Sequence, residues 1–170
     1  MNIFTLLEQV GTAIRQDATL QAWIASTFSG KTLSMFTLIN NEDPPGEAEY
    51  PVVILYGENE IKGDLRGGED LDNHLKNTIR IKLEISQTST TGSLSDGYGT
   101  WTKYKGYTDI VQFRQHVINA VTAAMMAGSI GSKFLELTIN YLPVEHYPVF
   151  VVEIFLTFTH PLNIESELYV

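Results

Sequence analysis

Apolar residues along the chain recur with two periods, and the period assigns each run to a helix or a strand. Near the N-terminus Ile3, Leu6, Leu7, Val10 and Ile14 follow the i, i+3, i+4 spacing of a helix with one buried face. Asp17 stands where an N-cap would satisfy the first free amides of a second helical segment, which carries Leu20, Trp23 and Ile24. Leu33 to Ile39 reads as a strand, followed by the loop Asn40 to Gly46. Val52 to Tyr56 is a continuous apolar run, as in a strand covered on both faces. Gly57 to Lys76 is expected to be a long acidic connection.

The clearest strand runs from Asn77 to Gln87, where Ile79, Ile81, Leu83 and Ile85 alternate with Thr78, Arg80, Lys82 and Glu84. Thr88 to Gly106 is rich in Ser, Thr, Gly and Tyr without an apolar period, and is expected to be a long loop. Thr108 is read as the cap of a helix from Asp109 to Ala127, ended by Gly128. Its buried stripe is Ile110, Phe113, Val117, Val121 and Ala124. Leu135, Leu137, Ile139 and Tyr141 mark a further strand. The last strand, Val149 to Thr159, puts Phe150, Val152, Ile154, Leu156 and Phe158 on one face. Its other face (Val149, Val151, Glu153, Phe155, Thr157) is also partly apolar, and Pro161 ends it. Tyr50-Pro51-Val52 and Tyr147-Pro148-Val149 open two strands alike, with Pro at a position where its missing N–H costs no ladder bond.

This order predicts an α+β fold, an antiparallel or mixed sheet of about five strands with helices packed on it. The chain of 170 residues is read as a single domain. It comprises a helical segment over 2–28, a sheet-and-helix core over 33–160 and a tail over 161–170.

Composition narrows the chemistry. The chain has no cysteine, which removes disulfides, thiolate metal sites and a Cys nucleophile. Eleven basic against twenty acidic side chains give a net charge of −9, unsuited to gripping phosphate backbones. Ten of the acids (Glu42, Asp43, Glu47, Glu49, Glu58, Glu60, Asp64, Glu69, Asp70, Asp72) lie between Asn40 and Leu75. The longest apolar stretch, Val149 to Phe158, is broken by Glu153 and falls far short of the ~20 residues that span a bilayer, so no membrane is expected.

Candidate sites are few. Ala25-Ser26-Thr27-Phe28-Ser29-Gly30-Lys31-Thr32 fits a relaxed phosphate-loop pattern, but that chemistry needs a strand entering and a helix leaving, and here the order is reversed. Gly30 is better read as the end of the helix. Asp64 to Asp72 offers oxygen ligands for calcium without EF-hand spacing, and a solvated acidic loop is the preferred reading. His74, His116, His146 and His160 share no ligand spacing, and no nucleophile elbow is present. Carboxylate pairs for acid–base work need burial, whereas most of these acids fall in expected loops. No catalytic residue, metal or cofactor is assigned.

The remaining signals concern contacts. Arg114 falls on the helical wheel between Val121 and Met125, so it snorkels past the apolar stripe or meets another subunit. Tyr98, Trp101 and Tyr104 lie in the Thr88–Gly106 segment, where exposed aromatics favour a protein contact. Lys103 and Lys105 are too few for a single-strand nucleic-acid site. Leu168 and Tyr169 make the tail apolar enough to dock on its own domain or a neighbour.

Taken in order, the N-terminal helix, the Tyr-Pro-led strand after an acidic turn (Glu49 to Tyr56), the alternating strand Thr78 to Ile85, the helix Asp109 to Ala127 and two closing strands ending in Phe158-Thr159-His160-Pro161 resemble the tail terminator (tail completion) proteins of tailed phages and related head–tail joining proteins. The resemblance implies a non-enzymatic subunit of a homo-oligomeric ring, typically a hexamer, that caps the tail tube and meets the head–tail connector or neck. It would be assembled in the host bacterial cytoplasm and carried in the virion. DNA would pass through the ring without specific binding, and Asp64, Glu69, Asp70 and Asp72 are the candidates for an acidic channel wall that repels the duplex. The alternatives are a small nucleotide- or metal-binding enzyme built on 25–32 or 64–72, and an adaptor that binds a protein through the aromatic segment.

Overall fold

Asn2 and Asp17 start the first two helices in the same way, each lending a side-chain oxygen to a backbone amide three residues on. The Thr5 amide donates to Asn2 Oδ1 at 2.9 Å and the Leu20 amide to Asp17 Oδ1 at 2.7 Å, filling donors that a helix N-terminus leaves open. The helices are α1 (Ile3–Gln16) and α2 (Ala18–Thr27). The chain is described from a computed structural model covering residues 2–37, 45–62, 74–142 and 147–161.

Seven strands and a third helix follow. In chain order they are β1 (Ser34–Thr37), β2 (Val52–Lys62), β3 (His74–Ser86), β4 (Thr90–Asp96), β5 (Gly99–Tyr104), α3 (Lys105–Met126), β6 (Lys133–Tyr141) and β7 (Val149–Pro161). Five strands form one mixed sheet in the order β1-β2-β3-β7-β6, parallel only between β1 and β2, while β4 and β5 form a separate two-stranded sheet. The fold is α+β, with the helices packed on one face of the main sheet.

Alternation sets that face. Val53 and Leu55 of β2, Ile79, Ile81, Leu83 and Ile85 of β3, and Phe150, Val152, Ile154, Leu156 and Phe158 of β7 are buried together with Leu6, Leu7, Val10 and Ile14 of α1, Leu20 and Ile24 of α2, and Ile110, Phe113, Val117 and Val121 of α3. Each such side chain contributes about 1.5–3 kcal/mol by leaving water, which makes this layer the main source of stability. On the other face Tyr50, Val52 and Ile54 form a second, smaller cluster with Phe36, Tyr56 and Val149, in line with the apolar run of β2. Farther along, Arg80 bridges two strands, its Nε 2.5 Å from Glu58 and its Nη1 3.1 Å from Glu153, with its guanidinium 4.2 Å from the Tyr56 ring centroid.

The two Tyr-Pro pairs play the same role at opposite flanks of β2–β3: both peptide bonds are cis, and the Pro51 and Pro148 carbonyls accept from the amides of Ser34 and Gln87.

Three expectations are corrected, and two helix ends come out as expected. Gly57 to Lys76 is not one connection, because β2 runs on to Lys62 and β3 begins at His74. Glu58 stays in the strand because Arg80 neutralises it from the neighbouring one. Thr88 to Gly106 is not a loop but contains the β4–β5 hairpin. Helix α3 starts a turn earlier than Thr108, at Lys105, with Tyr104 in the cap position and no side-chain capping bond. At the end of α2 the left-handed step is taken first by Ser29 (φ 55°) and then by Gly30 (φ 80°), whose amide reaches the Ala25 carbonyl at 2.7 Å. Gly128 ends α3 as expected: at φ 74° its amide donates to Met125 and that of Ser129 to Ala124.

Candidate functional site

Strand β6 lies at one end of the main sheet and, among the described residues, pairs only with β7. An edge strand presents a row of backbone donors and acceptors with no partner, and proteins usually guard it with charge or proline. β6 is guarded little. Phe134 (43% exposed), Leu135 (53%), Leu137 (39%) and Tyr141 (49%) leave large apolar areas in water along nine residues. A register shift between Phe134 and Glu136 makes Leu135 the extra residue of a bulge, and from Glu136 to Tyr141 the pairing with β7 is unbroken.

Beside this edge a groove of about 210 Å³ opens between α3 and the sheet, lined by Ile118, Val121, Met125, Met126, Phe134 and Leu137 among others. Phe134 stands edge-on to Phe158 at 6.2 Å, which fixes one end of the groove to the core. The edge and the groove share Phe134 and Leu137, and exposed apolar patches of this kind mark contact sites on folded proteins.

The second exposed surface is the β4–β5 arm. Its root is pinned: Gln87 Nε2 donates to Asp109 Oδ2 at 3.1 Å, Lys105 Nζ lies 3.2 Å from the same carboxylate, and Tyr147 donates to the Thr88 carbonyl at 3.2 Å. The Tyr104 and Tyr147 rings meet at 5.2 Å. Beyond the root nearly every described side chain is exposed, and Tyr98 at the turn is fully so. A two-stranded hairpin with both faces wet is marginal in water, so the arm depends on its pinned root for support.

The predicted contact residues separate into two places. Tyr98, Trp101 and Tyr104 belong to the arm, Tyr98 at its tip and Tyr104 at its root. Arg114 lies on α3 and has a partner within the chain: its Nη1 donates to the Tyr141 hydroxyl, and the guanidinium sits 5.7 Å from that ring, tying α3 to the edge strand. Its Nε is buried without a hydrogen bond. Leu168, Tyr169, Asp64, Glu69, Asp70 and Asp72 lie outside the described residues, as does the candidate calcium segment. The apolar edge of β6 is the feature that sequence reasoning missed. The strand itself was legible, but its place at the end of the sheet depends on β7 inserting between it and β3.

Catalytic geometry is sparse. The 25–32 segment has α2 entering and β1 leaving, the reverse of the order that aims amides and a helix N-terminus at phosphate. His116 packs with its ring 5.1 Å from Trp23, whose Nε1 donates to Gln112 at 3.3 Å. Among the described residues no group of three or more His, Asp or Glu is placed to hold a metal ion, and no helix is long and apolar enough to cross a membrane. No protein-family model matches the chain, and no curated protein matches it.

Proposed function

We propose that this chain is a structural subunit of a tailed-phage or prophage virion: a non-enzymatic tail terminator that assembles with copies of itself into a ring, closes the tail tube and joins it to the head connector or neck. The observation that carries the reading is the pair of exposed β surfaces, the apolar edge of β6 and the β4–β5 arm, on different parts of one subunit. A ring needs two unlike surfaces per subunit, because a head-to-tail contact closes on itself only when each copy offers one surface and receives the other.

The acid excess fits the same role. Asp64, Glu69, Asp70 and Asp72 fall within nine residues of the sequence, and a concentrated negative wall repels a passing duplex instead of binding it. DNA then moves through the ring without a specific contact. Assembly takes place in the host cytoplasm, and the finished ring resides in the virion at the junction of tail and neck.

Sedimentation velocity on the purified protein over a range of concentrations, with negative-stain imaging of the heaviest species, tests the reading. Closed rings of one size, hexamers by preference, are expected. Open, indefinite polymers would overturn it.

A further inference from the structure

We infer that residues 162–170 of this chain seat their apolar side chains in the groove between α3 and β6 of the same subunit. The inference does not depend on the ring proposed above.

The groove lies where that segment begins. β7 carries the chain past the start of β6: Thr159 stands opposite Lys133, and β7 continues to Pro161. The last turn of α3, with Met125 and Met126, comes down to the same end of the sheet, since only a short turn separates it from Lys133. Pro161 is three residues beyond Phe158, whose ring meets Phe134 at the end of the groove. At about 3.3 Å per strand residue that is about 10 Å, and the level of Leu137, beside Leu156, is about 17 Å away. The nine residues from Leu162 to Val170 reach about 30 Å when extended, enough to turn back and run along the groove. Pro161 and Asn163 are residue types that turns favour.

Groove and segment also match in chemistry. All but one of the side chains lining the groove are apolar, Thr122 being the exception, and Met126 is 86% exposed. Five of the nine residues of the segment (Leu162, Ile164, Leu168, Tyr169, Val170) are apolar or aromatic. Methionine adapts its shape to the side chain it receives, and two of them line this wall. A cavity of roughly 150 Å³ takes one benzene ring, so a groove of about 210 Å³ admits one or two side chains, which suits a short segment and not a folded element of another protein. Charge permits the contact. The segment carries Glu165 and Glu167, while the groove walls hold no acid and the single charge from Gln115 to Leu135 is Lys133, exposed beside Phe134. On a chain of net charge −9 this stretch does not repel an acidic segment. Tethered beside the groove, the segment has a local concentration on the order of millimolar, so a contact of modest strength holds it. The seat leaves Leu135 and the main-chain edge of β6 open to another subunit.

Because the chain has no native cysteine, two introduced thiols report directly on the seat. Thr122→Cys lies in the groove and Thr138→Cys on the opposite face of β6, both at exposed positions, and Ser166→Cys marks the segment without removing an apolar residue. In a glutathione buffer the intramolecular disulfide of Thr122→Cys/Ser166→Cys is expected to be favoured about tenfold or more over that of Thr138→Cys/Ser166→Cys. Adding Leu168→Ser and Tyr169→Ser is expected to remove the preference. Equal yields from the two pairs, a preference for position 138, or no disulfide from either pair would overturn the inference. A preference that survives Leu168→Ser and Tyr169→Ser would overturn it too, because the apolar side chains would not be what seats the segment. Linked dimers from a mixture of the Thr122→Cys and Ser166→Cys single variants would place a neighbour's segment in the groove and likewise overturn it.

Discussion

Gly106 lies against the ring of Phe150, and a β-carbon at position 106 would overlap that ring. The first turn of α3 therefore crosses the start of β7 at a separation only glycine permits, with Tyr107 edge-on to the same ring at 4.9 Å. Two effects oppose each other in Gly106→Ala. Alanine raises helix propensity by about 1 kcal/mol, while forcing a methyl into a packed site costs about 1–3 kcal/mol. Overlap with a buried ring puts the cost at the upper end, so the variant is expected to lose about 1–2 kcal/mol net. Urea unfolding measures it; an unchanged or raised midpoint would show that α3 and β7 separate easily.

Asn77 is fully buried on the helix-covered face, between Glu60 and Phe158 in the ladder, and among the described residues neither its amide nitrogen nor its oxygen has a hydrogen-bond partner. An unpaired buried amide costs about 1–3 kcal/mol, so Asn77→Leu, which keeps the branched heavy-atom skeleton and removes both polar groups, is expected to stabilise the fold by about 1 kcal/mol. Thermal and urea denaturation provide the check. Destabilisation would mean that the amide serves a contact the isolated subunit does not show.

Much of this architecture was legible from periodicity. Ile79 to Ile85 and Phe150 to Phe158 alternate because one face of each strand meets the helices, and Asp17 caps α2 because a carboxylate there satisfies a free amide. The failures share a cause. In β4 and β5 both faces are wet, so no apolar period betrays them; the remaining signal was Gly97, which opens the two-residue turn between Asp96 and Gly99 inside a Thr- and Ser-rich stretch. The far end of β2 looked like loop because it is acidic, and the neutralising Arg80 is 22 residues away from Glu58 in sequence. Strand order, and with it the exposed edge of β6, is a tertiary property that no local pattern encodes.

Leu135 is more than half exposed at the bulge of β6, so replacing it changes little inside the subunit. Leu135→Lys puts a charge of the kind that guards edge strands onto the most exposed large apolar position of β6. Folding stability is expected to stay within about 0.5 kcal/mol of the parent, while self-association weakens. Equilibrium sedimentation beside a urea melt separates the two effects. An unchanged mass distribution would remove β6 from the interface.

The helix-then-strand order around Gly30 leaves no amide cradle for a phosphate. Addition of ATP and Mg²⁺ is accordingly expected to leave the melting temperature unchanged. A ligand present at a hundred times its dissociation constant would stabilise the native state by about 2.7 kcal/mol, which a thermal-shift assay resolves easily. A reproducible rise would reopen the enzyme reading.

The proposal rests finally on where the ring goes. Purified protein mixed with tail tubes of the phage or prophage that encodes it, then imaged by electron microscopy, tests this most directly. A single ring seated at the head-proximal end of each tube, and absent from Leu135→Lys preparations, is the expected result. A protein that stays monomeric and leaves tube ends bare at every concentration would contradict it.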